Sequence, residues 1–293
     1  MSGLKLLVVR NFLRRKTKTC ALCFTVFVIL IVYFLFFKLE TPFLIGRKSQ
    51  EHVLCVLVPF RNTFEELLEF IPHMNDFLNR QKIKFYFIVV NHRFSIQAFN
   101  AGFEIITKQY PECDYVALHD IDLLPLNDEI PYTYPGDDLY NVANPEYHPR
   151  GDKYDPARYV GGISLISNKQ YIRAGGFGNH FWGWGGEDRN FFYRISNNSI
   201  NRVRPTNLTT DKYNTFRDIH SPYRFRDFIK CGNQKGADLV DYDLYESGFH
   251  NVNYGLLYAE SLTILGIPFT LFGITVPCNF TETPWCKPFC RNT

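Results

Sequence analysis

Not one acidic residue falls among the first 18 positions of this 293-residue chain, whereas six basic ones do: Lys5, Arg10, Arg14, Arg15, Lys16 and Lys18. Beyond that head, 26 basic residues face 29 acidic ones, so the body lacks the positive excess a nucleic-acid-binding domain needs. No internal repeat with a period of about 20–50 residues is present, which excludes solenoids and propellers. The chain is also poor in charge, 21% against 46% apolar residues, and that balance excludes disorder as its main state. Its length suits one large domain or two small ones.

What is present first is an apolar run. Residues 20–37, CALCFTVFVILIVYFLFF, contain no charge over 18 positions, close to the roughly 20 that span a hydrocarbon core. The run exceeds the usual ~7–15-residue core of a secretory signal, and no small-x-small cleavage site follows it, so it reads as an anchor. The basic flank keeps the N-terminus cytosolic by the positive-inside rule. The expected organisation is a cytosolic tail (1–19), a transmembrane signal-anchor (20–37), a short stem (38–52) with Pro42 and Gly46, and a lumenal domain (53–293).

Six cysteines lie on the lumenal side: Cys55, Cys113, Cys231, Cys278, Cys286 and Cys290. That part has no Cys-x-x-Cys pair, which argues against a zinc site and for disulfides. Cys278 and Cys286, closing CNFTETPWC beside a Pro-Trp turn, are the expected pair, and partners for the others stay open. Asn-x-Ser/Thr sequons begin at Asn197, Asn207 and Asn279, which have a use only in a secretory lumen.

The lumenal stretch alternates in period. VLCVLVPF (53–60) is a buried strand, and 62–80 carries Phe64, Leu67, Leu68, Ile71, Met74, Phe77 and Leu78 at helical spacing. KFYFIVVN (84–91) predicts a second strand, 96–109 a helix, and DYVALHD (114–120) a third strand. This β-α-β-α-β order predicts a parallel sheet covered on both faces, with ligands beyond the carboxyl ends of the strands. Further strands are expected at 160–167, 251–258 and 268–276, and a short helix from about residue 187.

Three segments can carry chemistry. In HDID (119–122), strand alternation would turn Asp120 and Asp122 to one side, where two carboxylates can serve a hard divalent cation bridging a diphosphate. A solvated turn is the plain alternative. In FWGWGGED (181–188), glycines make a tight loop, Trp182 and Trp184 offer faces that stack on sugars, and Glu187 and Asp188 stand at a helix start. A carboxylate there either caps the helix or acts as a general base toward an acceptor hydroxyl. In TFRDIHSP (215–222), the i, i+2 spacing of Asp218 and His220 can complete a metal shell.

Taken together, VPFRN (58–62), HDIDLLPLNDE (119–129), YVGGISLIS (159–167), FWGWGGED (181–188) and TPWC (283–286) resemble the β-1,4-galactosyltransferase family over roughly residues 53–290. His119 before the acidic pair is similar to its xylose-specific branch. The resemblance implies an α/β GT-A fold, Rossmann-like, with a mixed, mostly parallel sheet. It implies an inverting transfer of galactose from UDP-galactose, with Mn2+, to the 4-hydroxyl of xylose on proteoglycan core proteins, in the glycosaminoglycan linkage region. The place would be the Golgi membrane, as a single-pass type II protein with its catalytic domain lumenal.

By the same resemblance, Pro59, Phe60, Arg61, Asp120, Tyr159, Gly162 and Trp184 would contact the donor, Tyr159 disfavouring an N-acetylated one. Asp122, His220 and Asp218 would hold the metal. Asp188 would be the catalytic base, and Trp184, Glu187, Asp188 and Arg189 would shape the acceptor pocket. The chain departs from the family in three places. Asp218 stands where the xylose-specific branch has histidine, Arg189 where an aspartate usually follows the base, and RFSIQAFNAG (93–102) lacks an arginine of the uridine loop. These departures keep two alternatives open: another acceptor such as N-acetylglucosamine, or a non-catalytic lectin-like or chaperone-like relative.

Overall fold

The computed structural model describes residues 51–92, 95–183, 185–220, 243–281, 283, 284 and 286. The expected anchor at 20–37 therefore lies outside the described residues, as do Trp184, Cys231 and Cys290. Among the described residues, no helix is long and apolar enough to cross a membrane.

The unit from His52 onward is built on strand β1 (Val53–Phe60), which takes β2 (Lys84–Asn91) on one side and β3 (Tyr115–His119) on the other, both in parallel. Alternation along β1 divides the core into two layers. Leu54, Val56 and Val58 pack with helix α1 (Phe64–Arg80), whereas Cys55 and Leu57 pack with helix α2 (Gln97–Gln109). A Cβ on Gly102 would come 2.4 Å from Leu57 Cδ1, so only glycine lets α2 lie this close to the sheet. The face of α1 is displaced from its sequence reading. Phe70 is buried while Phe64 is 61% exposed and Leu68 is exposed, because the inward stripe runs through Leu67, Phe70, Ile71, Met74, Phe77 and Leu78.

The rest of the sheet is mixed. β6 (Ile163–Ser167) runs antiparallel to β3, β5 (Leu139–Asn141) antiparallel to β6, and β7 (Arg202–Val203) parallel to β5. At the other edge, β10 (Ile267–Thr275) is parallel to β2 and hairpins with β9 (Gly255–Ile264). The eight-stranded order is β7-β5-β6-β3-β1-β2-β10-β9, and β4 (Leu123–Pro125) pairs with β8 (Phe216–Asp218) in a small separate ladder. Helices α3 (Asn168–Ala174) and α4 (Glu187–Asn197) complete the described elements used below.

The Cys278–Cys286 disulfide is present, and Cys55 pairs with Cys113, tying β1 to the chain just before β3. Asn197, Asn207 and Asn279 are all exposed, as glycosylation requires.

Candidate active site

The chemistry-bearing residues gather at the carboxyl ends of β1 and β3. Pro59 and Phe60 close β1 half-buried, followed by half-buried Arg61. Next to them the backbone N–H of His92 donates to the Phe60 carbonyl (3.1 Å). The His92 ring is neutral, its pKa lowered to about 4 by burial and by the neighbouring Arg61 charge. Its position after β2 gave no signal in the sequence beyond a lone histidine.

The acidic pair corrects the strand reading. β3 ends at His119, so Asp120, Ile121 and Asp122 form a turn into β4, and alternation does not relate the two carboxylates. The turn is pinned from both sides. Buried His119 donates from Nδ1 to the Asp120 carbonyl (2.8 Å), and the Asp120 N–H donates to the Gly162 carbonyl (2.8 Å). Asp120 is exposed and Asp122 half-buried. The small β4–β8 ladder then brings the third segment to the second. The Ile219 N–H donates to the Asp122 carbonyl (2.8 Å), and His220 Nδ1 lies 2.7 Å from Asp122 Oδ2.

A carboxylate oxygen and an imidazole nitrogen side by side are donors suited to Mn2+, so this pair fits the implied metal. Asp218 has other partners for both of its oxygens. Its Oδ2 lies 2.6 Å from Arg150 Nε, and its Oδ1 accepts the His220 backbone N–H at 3.0 Å. Among the described residues, no group of three or more His, Cys, Asp or Glu side chains is placed to hold a metal ion.

Across the turn stands the first turn of α4. A Cβ on Gly161 would fall 2.2 Å from Asp188 Oδ2 and 3.0 Å from Tyr159 Cε2, so the VGG step is where this carboxylate meets the sheet. Gly162, with φ +74°, sits against the Tyr159 hydroxyl, where a Cβ would come within 2.9 Å. Tyr159 is buried and stacks on Tyr154 with ring centroids 4.2 Å apart. Burial, together with the nearby Asp188 and Asp120 charges, pushes the Tyr159 phenol far up, so it stays protonated.

Asp188 is itself raised well above the usual carboxylate range, first by burial and then by repulsion from Glu187 and Asp120. Glu187 is also raised by burial, and its Oε2 accepts the Gly185 N–H at 2.7 Å, so this carboxylate ties down the loop in front of the helix. Arg189 is exposed. Trp182, expected as a stacking face, is only 7% exposed and bridges Ser95, so it is a packing residue of the loop. Gly161, Tyr154 and Arg150 escaped the sequence reading because each matters only through a neighbour distant in sequence.

Two family models match the chain: the N-terminal region of glycosyl transferase group 7 over residues 47–135, and a galactosyltransferase domain, described as N-terminal, over residues 143–221. The chain is 43% identical over 242 residues to human beta-1,4-galactosyltransferase 7, covering 80% of this chain and 71% of that protein. It is 36% identical over 247 residues to xylosylprotein 4-beta-galactosyltransferase of Caenorhabditis elegans, covering 82% and 84%. Among solved structures, the catalytic domain of Drosophila beta-1,4-galactosyltransferase 7 bound to xylobiose superposes with a TM-score of 0.73 at 38% identity, over 80% of this chain and 99% of that one. A mutant of that enzyme in complex with manganese, UDP-Gal and xylobiose matches with the same TM-score at 39% identity, over the same shares.

Proposed function

Since the chain belongs to the β-1,4-galactosyltransferase family, we propose that it transfers galactose from UDP-galactose to the 4-hydroxyl of xylose, with inversion and with Mn2+. The observation that carries this reading is the placement of Asp188. A half-buried carboxyl, raised by its surroundings, faces the end of the sheet from a helix start, beside a glycine pair and a protonated tyrosine.

In that position Asp188 accepts the proton of the xylose hydroxyl as its oxygen attacks the anomeric carbon and the bond to UDP breaks. A carboxylate with a raised pKa is the stronger proton acceptor, so the environment that costs stability favours the reaction. Tyr159 and the bare backbone at Gly161–Gly162 shape the space next to that carboxylate, a close wall suited to galactose without an N-acetyl group. Pro59, Phe60 and Arg61 line the donor end, with Asp120 toward the donor ribose and sugar. Asp122 and His220 are the side chains that would hold manganese, which would supply positive charge to stabilise the leaving diphosphate. Trp184, Glu187 and Arg189 belong to the acceptor side.

The acceptor in the cell is the xylose of a proteoglycan core protein. The enzyme works on the lumenal side of the Golgi membrane, held by its own residues 20–37, with 38–52 as stem. The apolar run, the basic flank, the exposed sequons and the two disulfides support that placement.

The test is galactose transfer by the full chain in detergent, from UDP-galactose with manganese, onto a β-xyloside and a β-N-acetylglucosaminide. Turnover of the xyloside that EDTA abolishes is expected. Turnover of the glucosaminide alone would reassign the acceptor and make Arg189 the residue responsible, and turnover of neither would favour a binding protein.

A further inference from the structure

The carboxylate of Asp218, two residues before the histidine of the metal pair, has both oxygens engaged, one by a cation outside that pair and one by the backbone of the histidine. Oδ2 is in an ion pair with Arg150 (2.6 Å) and Oδ1 accepts the backbone N–H of His220 (3.0 Å). Arg150 comes from a turn distant from Asp218 in sequence. Its own N–H donates to Nδ1 of buried His148 (2.9 Å), whose ring packs edge-on against Tyr154 (5.1 Å) and Tyr159 (6.2 Å). The next residue, Gly151, has no room for a Cβ, which would lie 1.8 Å from the Pro145 carbonyl oxygen. The guanidinium thus reaches Asp218 from a turn that is hydrogen-bonded to His148 and packed closely on Pro145.

We propose that Asp218 is a positioning residue and not a metal ligand: Arg150 takes its charge, its second oxygen sets His220 against Asp122, and manganese is held by two protein side chains. The proposal rests on the metal reading given above and deepens it. With Arg150 cancelling Asp218, the ligands present one net negative charge, that of Asp122, instead of two. Metal affinity without nucleotide is then weak, and a diphosphate that brings its own oxygens and charge raises it. By linkage, manganese raises nucleotide affinity by the same factor.

Manganese binding to the full chain, followed by electron paramagnetic resonance with and without UDP, tests this apart from turnover. Asp218→Asn keeps an acceptor for the His220 N–H but leaves the Arg150 charge unbalanced, so it is expected to weaken manganese binding by no more than about fivefold, whereas Asp218→Ala, which removes that acceptor as well, is expected to lose roughly another tenfold. Arg150→Met leaves the Asp218 charge uncompensated and is expected to bind manganese about fivefold more tightly without UDP. A loss of tenfold or more in Asp218→Asn, or unchanged binding in Arg150→Met, would overturn the proposal. His220→Ala separates the two layers of the argument. Undiminished manganese binding in that variant would remove the metal pair itself, and the proposal with it, whatever Asp218 does.

Discussion

Two carboxyl groups, Asp188 in the first turn of α4 and Asp243 packed against Arg194 of the same helix, have opposite environments. Asp243 is fully buried, and burial alone would push it up, yet it lies below the usual range because His180 and Ser247 satisfy it. Its Oδ1 accepts from Ser247 Oγ (2.6 Å) and lies 3.2 Å from His180 Nδ1, and its Oδ2 accepts the His180 backbone N–H (3.1 Å). Arg194, near the other end of the helix from Asp188, is 3.8 Å from the same carboxylate and donates to the Ser247 carbonyl at 2.7 Å. Asp188 has the reverse environment, with Glu187 and Asp120 repelling it. A buried acid that holds the fold together is compensated, and one that does chemistry is left out of balance.

The sharpest way to break that contrast is Asp188→Asn. Turnover is expected to fall by about 10²–10⁴-fold, the usual contribution of a general base, with UDP-galactose and manganese binding nearly unchanged by calorimetry. Near-normal turnover would remove Asp188 from the reaction. The pH dependence has a definite sign. Because the base must be ionised, activity rises with pH through a pKa displaced upward from the carboxylate range. Folding has the opposite sign. A raised folded-state pKa means that stability present below the unfolded value is lost as pH rises through the folded one, so Asp188→Asn should melt higher than the parent at neutral pH.

Asp243→Asn strikes the compensated member of the pair. It leaves the buried Arg194 charge without its carboxylate, and a loss of roughly 3 kcal/mol in denaturant unfolding is expected. An unchanged midpoint would mean that the carbonyls around Arg194 suffice by themselves.

Gly161→Ala sharpens the active-site side. The new methyl would meet Asp188 Oδ2 and displace it, and a misplacement of about 1 Å costs on the order of 10²-fold in turnover with little change in melting temperature. The smallest effect is expected from an exposed pair, Arg80 and Asp128, at 51% and 58% exposure. Arg80→Ala should change stability by only about 0–1 kcal/mol, since solvent screens both charges. A larger loss there would mean that exposure is a poor guide to which ion pairs matter in this protein.

Much of the fold could be read along the chain because burial leaves a local trace. The strands at 53–60 and 84–91 and the helices after them emerge with nearly the expected bounds, since period-two and 3.6-residue apolar patterns follow directly from which side of an element meets the core. The mixed sheet was less legible. A run such as ISLIS looks alike whether its partner is parallel or antiparallel, and β6 is antiparallel to β3. At the site, the residue types were legible and their relations were not. Asp120 and Asp122 looked like neighbours on a strand and proved to lie in a turn, and Trp182 looked like a sugar platform and proved to be buried.

The sequence by itself determined the inventory: two layers of apolar residues for a covered sheet, a membrane-length apolar run, and ordered motifs specific enough to imply a galactosyltransferase. Tertiary structure alone decided the couplings. Only the fold brings Asp188 against Gly161, seats His220 beside Asp122 through the β4–β8 ladder, and hands the charge of Asp218 to Arg150. The physical reason lies in range. Propensity and periodicity act over one or two turns of chain, whereas a carboxylate's pKa and its partner are set by whatever charge and burial the fold brings within a few ångströms.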